Sequence, residues 1–362
     1  MHTHTQSIHN SGPARRRTGR FRPLAPLLLA CGALAAASSA AADEATMQAA
    51  VPRAGTVRVQ TVPRPVAAAG EVLVSLRFAG VNPGDWKYAA GRPEGAAEAV
   101  PAAAAYAVGE DAASIPGLDG AGVVAALGAG VANLHVGDAV MLWSARRGAY
   151  AQFVSVPSLT VVRKPDALSF EEAAGLAHAG LAAWNLLIDI AHVHAGQSVL
   201  VLGGAGGVGS SAVQIARARG AHVIATASAR NTEYLQSIGA EQVIDYTRLH
   251  FEDLVRNADV VLNTVDADNA YRGLAVARRG GFLVSVNGLP PRDQCAARGV
   301  SCAARNFDGT PVGEVLGNLG EWAQAGHYRV HVDRVFALTE VIKAWGYSQA
   351  GHTQGKSLIR IE

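Results

Sequence analysis

A glycine-rich turn is the stretch of this sequence that points most directly to chemistry. Five of the seven residues from Gly203 to Gly209 are glycine; they follow the apolar run "SVLVLG" and precede a run with helical spacing. A dinucleotide pyrophosphate needs a tight turn, a backbone that it can approach closely and the N–H groups of a helix start. The turn therefore predicts cofactor-binding residues, namely Gly203, Gly204, Gly206, Gly207, Val208 and Gly209. The alternative is a packing turn in an unrelated α/β domain.

The end of the next apolar run indicates which dinucleotide would bind. An NAD site usually has Asp or Glu there, to bind the ribose 2′-hydroxyl. Here "HVIATASARN" ends with Ser228 and Arg230 and has no acid. Arginine and serine can bind a 2′-phosphate, which a carboxylate would repel. We therefore expect NADP(H), the alternative for Arg230 being a solvated charge at a helix start.

The elements that would position these residues change in type along the chain. From Val72 to Val162, short apolar runs are broken by Gly, Pro and Asp, which is typical of an irregular β domain. The Ala-rich stretch 91–114 reads as a surface loop. From Ser169, helical periods alternate with apolar runs, which predicts βαβ units and a parallel sheet. These runs lie at 198–203, 222–228, 242–246, 259–265 and 281–286.

Length and composition are those of a globular protein with two domains. The chain has 362 residues, 49% of them hydrophobic and 17% charged. Removing the five arginines of residues 1–42 from 31 basic residues leaves 26 against 29 acidic ones, a formal charge of −3. That charge does not favour a nucleic-acid partner.

Residues 1–42 have the three parts of a secretory signal. A basic region with Arg15, Arg16 and Arg17 precedes an apolar stretch from Leu24 to Ala37, which is too short for a comfortable membrane span, and small residues follow it. We expect a signal of Sec or twin-arginine type, a periplasmic or secreted protein and no membrane span in the mature chain. Two alternatives stay open: a lipoprotein anchored at Cys31, and a cytoplasmic protein with an N-terminal extension. Cys295 and Cys302 either form a disulfide or stay unpaired.

Eight motifs in order resemble the zinc-independent quinone oxidoreductases, the zeta-crystallin-like group of the medium-chain dehydrogenase/reductase superfamily. They are "GVNPGDWKYAAG" (80–91), "IPGLDGAGVV" (115–124), "VGDAVM" (136–141), "GAYAQFV" (148–154), "LSFEEAAGL" (168–176), "GQSVLVLGGAGGVGSSAVQIARARGAHVIATAS" (196–228), "GAEQVIDY" (239–246) and "GHTQGKSLIRI" (351–361). The resemblance implies an α/β protein with two domains. A GroES-like irregular β catalytic domain would cover 43–165 and 313–362, and a doubly wound Rossmann domain 166–312.

The same resemblance implies a reaction without zinc. Zinc-dependent relatives have a catalytic Cys where this chain has Asn82, and a His-Glu pair where it has Leu118 and Asp119. His192 and His194 suit solvated or capping positions better than a metal site. His178, at a helix start, is expected to be structural, with a place at the border of the active-site cleft as the alternative. No metal ligands are therefore expected.

Site residues carry over at matching positions. Asn82 would lie near the nicotinamide and the substrate carbonyl, with Asp85 and Tyr88 in the same pocket; Tyr88 would donate to the nascent oxyanion or simply pack. Tyr246 and Ser228 match positions that contact the 2′-phosphate, and Lys356 matches a lysine close to the cofactor. Asn287 and Gly288 lie at the end of a strand that would face the cofactor.

The expected activity is NADPH-dependent hydride transfer to a quinone or an activated enone. Such acceptors delocalise the resulting oxyanion, whereas a simple ketone would want a metal or a strong acid. An enoyl-thioester reductase, an enzyme similar to alcohol dehydrogenase and a non-catalytic NADPH-binding protein are the alternatives. The family also implies a homodimer.

Overall fold

The computed structural model describes residues 45–53, 56–89 and 115–362. The predicted signal at 1–42, with Cys31, and the predicted surface loop at 91–114 lie outside the described residues. An antiparallel hairpin, β1 (Thr46–Arg53) and β2 (Thr56–Pro63), begins the described part. The sequence patterns described above predict no strand in this region.

A seven-stranded sheet forms the first layer, and two of its strands come from the C-terminal part of the chain. Its order is β14-β15-β3-β4-β5-β7, with β6 paired to β3. β15 runs parallel to β14 and antiparallel to β3, so the C-terminal segment completes the sheet that residue 71 begins. The strands are β3 (Glu71–Gly80), β4 (Asp119–Leu127), β5 (Ala139–Trp143), β6 (Phe153–Pro157), β7 (Val161–Arg163), β14 (Val332–Ala337) and β15 (Lys356–Arg360).

A six-stranded, fully parallel sheet forms the second layer. Its order is β10-β9-β8-β11-β12-β13. The strands are β8 (Ser198–Leu202), β9 (His222–Ala227), β10 (Gln242–Asp245), β11 (Ala258–Asn263), β12 (Ala277–Ser285) and β13 (Ser301–Ala304). The order reverses between β8 and β11, and such a switch point opens a crevice at the carboxyl ends of the strands. The GroES-like and doubly wound architecture is confirmed, whereas the exact domain limits stay predictions.

Nine helices connect or cover the strands of the described part. They are α1 (Pro83–Ala89), α2 (Phe170–Trp184), α3 (Gly207–Ala218), α4 (Thr232–Ser237), α5 (Phe251–Leu254), α6 (Ala267–Val276), α7 (Arg292–Arg298), α8 (Val312–Gln324) and α9 (Val341–Gln349). A disulfide joins Cys295, in α7, to Cys302, in β13.

Helix α2 packs against the seven-stranded sheet on one side and against α3 and α8 on the other. It begins with a capping box, in which Ser169 Oγ accepts from the Glu172 N–H and the Glu172 carboxylate accepts from the Ser169 N–H. A π-helical segment, Asn185–Ile190, continues it. Among the described residues, this continuous helix alone is long and apolar enough to cross a membrane, but most of it is buried inside the protein. We therefore interpret it as a core helix.

Candidate active site

The glycine turn closes on itself at the carboxyl end of β8. Gly203 has a φ of +78°, in the left-handed region that favours glycine. A Cβ on Gly209 would lie 2.2 Å from the carbonyl oxygen of Gly203, so only glycine fits there. A Cβ on Gly204 would lie 2.8 Å from Ala225 Cβ, which brings the turn close to β9.

The start of α3 has the features that a pyrophosphate needs. Gly206 precedes the helix and provides no side-chain cap for its first N–H groups, at Gly207, Val208 and Gly209. A Cβ on Gly206 would meet nothing nearer than 3.9 Å, so a ligand can approach this backbone closely. These residues therefore fit a dinucleotide.

Three predicted 2′-phosphate residues follow neighbouring strands. Ser228 and Arg230 come after β9, and Tyr246, 55% exposed, comes after β10. The Ser228 Oγ accepts from Asn231 Nδ2 at 3.2 Å, and Arg230 donates to the His352 carbonyl at 2.7 Å. The residues that follow β9 directly include no carboxylate, as the preference for NADP(H) requires.

Asn82 lies in a buried network that ends in a lysine ammonium. Lys356 Nζ donates to Asn82 Oδ1 at 2.6 Å and to the Val81 carbonyl at 3.1 Å. Asn82 Nδ2 donates in turn to Asp119 Oδ1 at 2.7 Å, and Lys356 Nζ lies 3.8 Å from the other Asp119 oxygen. Asn82, Asp119 and Lys356 are all at most 5% exposed. The network therefore fixes the Asn82 amide in one orientation.

Asp85 holds the backbone of Asn82 through a buried hydrogen bond. Its carboxylate is fully buried and accepts from the Asn82 N–H, the Gly117 N–H and the Tyr150 hydroxyl. Burial, followed by the charge of Asp119, raises the pKa of Asp85 to about 6, against the opposing effect of Arg147. With these protein partners, Asp85 acts as a positioning residue for the Asn82 loop.

The remaining predicted residues lie beside the crevice. Asn287 follows β12 and donates to the Thr264 and Val265 carbonyls, while its Oδ1 accepts from Lys87 of α1 at 3.0 Å. Gly288 has a φ of +69° and packs closely against Ala267. The backbone of Tyr88 belongs to α1, but its side chain lies outside the described residues, so its role stays a prediction.

The C-terminal segment contacts the glycine turn, Arg230 and Asn82. Gly355 N–H donates to the Ala205 carbonyl at 2.7 Å, inside the glycine turn. A Cβ on Gly207 would lie 2.8 Å from Lys356 Cδ, so the lysine stem lies over the start of α3. The segment also contains His352, the partner of Arg230. These contacts bring the glycine turn, Arg230 and Asn82 to the C-terminal segment, beside the crevice at the carboxyl ends of the parallel strands, called here the cleft.

Two side chains in this cleft, His178 and Arg305, lie closer to Asn82 and Asp119 than the sequence patterns indicate, and no pattern singles out Arg305. His178 lies in the middle of α2, not at a helix start as predicted, and its N–H donates to Asp119 Oδ2 at 3.1 Å. Arg305 follows β13, and its Nη1 lies 3.3 Å from His178 Nε2. An arginine near a histidine 127 residues away leaves no signal in local spacing.

The structure also bears on the metal question. In the part of the chain that it describes, no group of three or more His, Cys, Asp or Glu residues could hold a metal ion. His192 and His194 contact backbone carbonyls through their rings.

Family models match most of the described chain. The alcohol dehydrogenase GroES-like domain matches residues 68–166, and the zinc-binding dehydrogenase domain matches residues 238–359. The C-terminal domain of alanine dehydrogenase/PNT matches residues 180–271, which include the glycine turn.

Individual proteins extend this likeness. An alcohol dehydrogenase superfamily protein from Novosphingobium aromaticivorans is 31% identical; its structure aligns with a TM-score of 0.77 over 88% of this chain and all of its own. The quinone oxidoreductase of Coxiella burnetii is 28% identical, with a TM-score of 0.76 over 88% of this chain and all of its own. The chloroplastic NADPH-dependent alkenal/one oxidoreductase of Arabidopsis thaliana is 34% identical over 217 residues, 59% of this chain. The chain spans about half the length of that relative, 53%.

Proposed function

Because the chain belongs to the medium-chain dehydrogenase/reductase superfamily of NAD(P)H-dependent oxidoreductases, we propose that it uses NADPH to reduce a quinone or an activated enone without zinc. The observation that carries the proposal is the buried Lys356–Asn82–Asp119 network. The ammonium group of Lys356 lies beside Asn82. Asn82 occupies the position at which zinc-dependent relatives have a metal-binding cysteine. The names of an alkenal/one reductase and a quinone oxidoreductase among the similar proteins support the same acceptor class.

The bound cofactor would supply the hydride, and the residues of this chain would supply position and polarity. Gly206, Gly207, Val208 and Gly209 would bind its pyrophosphate at the start of α3. Ser228, Arg230 and Tyr246 would bind the 2′-phosphate, and Asn287 and Gly288 would border the nicotinamide. All of these residues lie at the carboxyl ends of the parallel strands or next to them.

Lys356 and Asn82 would provide the polarity that the reaction needs. The ammonium group is held by three oxygens of the network and is shielded from water, which strengthens its field in the cleft. A quinone or enone oxygen gains negative charge on reduction. The preorganised positive charge of Lys356 stabilises that charge, while Asp119 and Asp85 keep Asn82 and the lysine in place.

The experiment is NADPH oxidation by the full chain with benzoquinone and methyl vinyl ketone, and with NADH alongside. We expect turnover with NADPH and little with NADH. Ser228→Asp should lower kcat/KM for NADPH about 100-fold and favour NADH, because a carboxylate repels the 2′-phosphate. Ser237→Asp, an exposed serine in α4, adds the same charge elsewhere and should change neither. NADPH binding without reduction of either acceptor would contradict the proposed reaction.

We also propose that the protein works outside the cytoplasm. The Cys295–Cys302 disulfide supports this, because disulfides persist in oxidising compartments and are rare in the cytosol. Mass determination of the cellular protein tests it: loss of about 42 residues is expected of a cleaved signal, and an intact N-terminus would contradict it.

A further inference from the structure

Four side chains on one side of the cleft form a cluster that the reaction described above does not use. They are Trp143, His178, Arg305 and Phe307, called here the His178 cluster. His178 Nδ1 accepts from Trp143 Nε1 at 3.1 Å, and His178 Nε2 faces Arg305 Nη1 at 3.3 Å. The ring of Phe307 packs edge-on against both aromatic neighbours, and the Arg305 guanidinium lies 5.1 Å from its centroid. The cluster is therefore closely packed around the imidazole.

The His178 cluster has more hydrogen-bond donors than acceptors. Indole N–H and guanidinium groups only donate, and a neutral imidazole has one N–H and one acceptor nitrogen. When His178 Nδ1 accepts from Trp143, the proton of the ring is on Nε2. That N–H then faces a second donor, Arg305. Two donors thus point at the same place and need one acceptor that the cluster does not contain.

The charges of the cleft have the same imbalance. Arg147 pairs with Asp85 at 3.7 Å, and Lys356 lies 3.8 Å from Asp119. Among the described residues, no carboxylate pairs with Arg305. Burial, and then the charges of Arg305, Lys356 and Arg147, lower the pKa of His178 well below its usual value, so the imidazole is neutral. One cation more than the carboxylates can match remains in the cleft.

Hydrogen bonds fix the backbone at Arg305, and the guanidinium group contacts His178 and Phe307. The backbone N–H of Arg305 donates to the Ser285 carbonyl at the end of β12, and the Asn306 N–H donates to the buried Asn185 Oδ1 at 3.1 Å. Asp119 connects the cluster to the proposed reaction site, since it accepts from both the His178 N–H and the Asn82 amide. A group bound between Arg305 and His178 would therefore lie beside the substrate position.

We propose that Arg305 and the Nε2–H of His178 bind a carboxylate group of the substrate, so that the natural acceptor is an enone or quinone that carries a carboxylate. A carboxylate oxygen supplies the acceptor that both donors need, and the planar guanidinium matches its geometry. It also neutralises the unmatched cation. This inference rests on the proposed function, whose acceptor class it narrows.

A matched pair of acceptors tests the proposal on the full chain. Acetylacrylate and its methyl ester contain the same enone, but only the first has a carboxylate. Arg305→Gln should lower kcat/KM for acetylacrylate about 10- to 100-fold, mainly through KM, the range expected for hydrogen bonds to a charged group. It should leave the ester within about threefold. Arg292→Gln, an exposed arginine at the start of α7, should alter neither.

Binding without turnover gives a second, independent readout. Levulinate, a saturated keto acid, should bind the wild-type protein in calorimetry at least about 10-fold more tightly than methyl levulinate, and Arg305→Gln should remove that difference. Arg305→Lys should restore only part of it, because an ammonium group lacks the planar fork.

Two results would overturn the inference while leaving the proposed function intact. One is an equal loss of kcat/KM for acetylacrylate and its methyl ester in Arg305→Gln. That result would mean that Arg305 and His178 act on the carbonyl oxygen common to both acceptors. The other is equal binding of levulinate and its ester by the wild-type protein. By contrast, failure of benzoquinone and methyl vinyl ketone to oxidise NADPH would contradict the proposed function itself, whatever levulinate does.

Discussion

The glycine turn and the Asn82 network form the two ends of one cleft, the first with backbone groups and the second with side chains. The turn uses seven consecutive residues, contributes backbone N–H groups and tolerates no added atom at Gly209. The network uses side chains from three distant parts of the chain, Asn82, Asp119 and Lys356, and contributes a buried charge. The difference teaches that the cofactor end depends on local backbone shape, whereas the reacting end depends on the assembly of the whole fold. Three predictions test this contrast, from the largest expected effect to the smallest.

The first change breaks the turn. Gly209→Ala should weaken NADPH binding by more than about 100-fold and destabilise the protein by about 1–3 kcal/mol, because its Cβ would lie 2.2 Å from the Gly203 carbonyl oxygen and the backbone must move. Calorimetric titration with NADPH and urea unfolding measure the two effects.

Another helical glycine provides the control for this change. Gly317 lies in α8, where a Cβ would meet nothing within 4 Å. Gly317→Ala should leave binding unchanged and stabilise the protein by about 0.5–1 kcal/mol. If the two alanine variants bound NADPH equally well, close approach at the turn would not be what makes Gly209 necessary.

The second change removes the charge of the network and keeps most of its shape. Lys356→Met should lower kcat for a quinone or enone about 100-fold, the usual effect of losing one preorganised group at a developing oxyanion. NADPH affinity should fall much less, because the aliphatic stem over Gly207 remains. Steady-state kinetics and titration separate the two quantities.

Lys343→Met is the matched control for the loss of charge. Lys343 is exposed on α9 and pairs with Glu340, so its loss should change stability by less than about 0.5 kcal/mol and leave kcat unaltered. A Lys356→Met enzyme with normal kcat would remove the ammonium group from the mechanism.

The third prediction concerns the pH dependence of stability through Asp85. Its folded-state pKa is raised from 3.8 to about 6, so the folded protein binds the proton more tightly than the unfolded chain does. The contribution of this group to the unfolding free energy therefore falls as the pH rises from about 4 to about 6. Above that range the contribution no longer changes with pH. Relative to Asp85→Asn, the wild-type protein should lose about 2 kcal/mol of unfolding free energy between pH 4 and pH 7.

Urea midpoints of the two proteins across that range measure this difference. Asp138 is a partly exposed carboxylate whose pKa is lowered by hydrogen bonds with His135 and Arg163, so it titrates below this window. Asp138→Asn should therefore show no such change between pH 5 and pH 7. A constant difference between the wild-type protein and Asp85→Asn would show that Asp85 stays ionised throughout.

The same contrast explains what the sequence could predict. The glycine turn, the five strands from β8 to β12 and the lack of an acid after β9 are local patterns, and each was found at its place. β13 was missed because its four residues, "SCAA", are small and only partly buried. Neither the Arg305–His178 contact nor the charge that surrounds Asn82 has a local pattern, because both arise only when the two sheets pack together.

The position of β15 at the end of the chain decides when the active site can exist. Val81 and Lys356 are hydrogen-bonded partners that lie 275 residues apart. During synthesis, domains fold as they leave the ribosome, so the parallel sheet and its glycine turn can form while Lys356 is still unmade. A nascent chain would thus be able to hold its cofactor before it could use it. Translation that stops before residue 356 would yield a chain that lacks both Lys356 and β15, the strand that lies between β14 and β3 in the seven-stranded sheet.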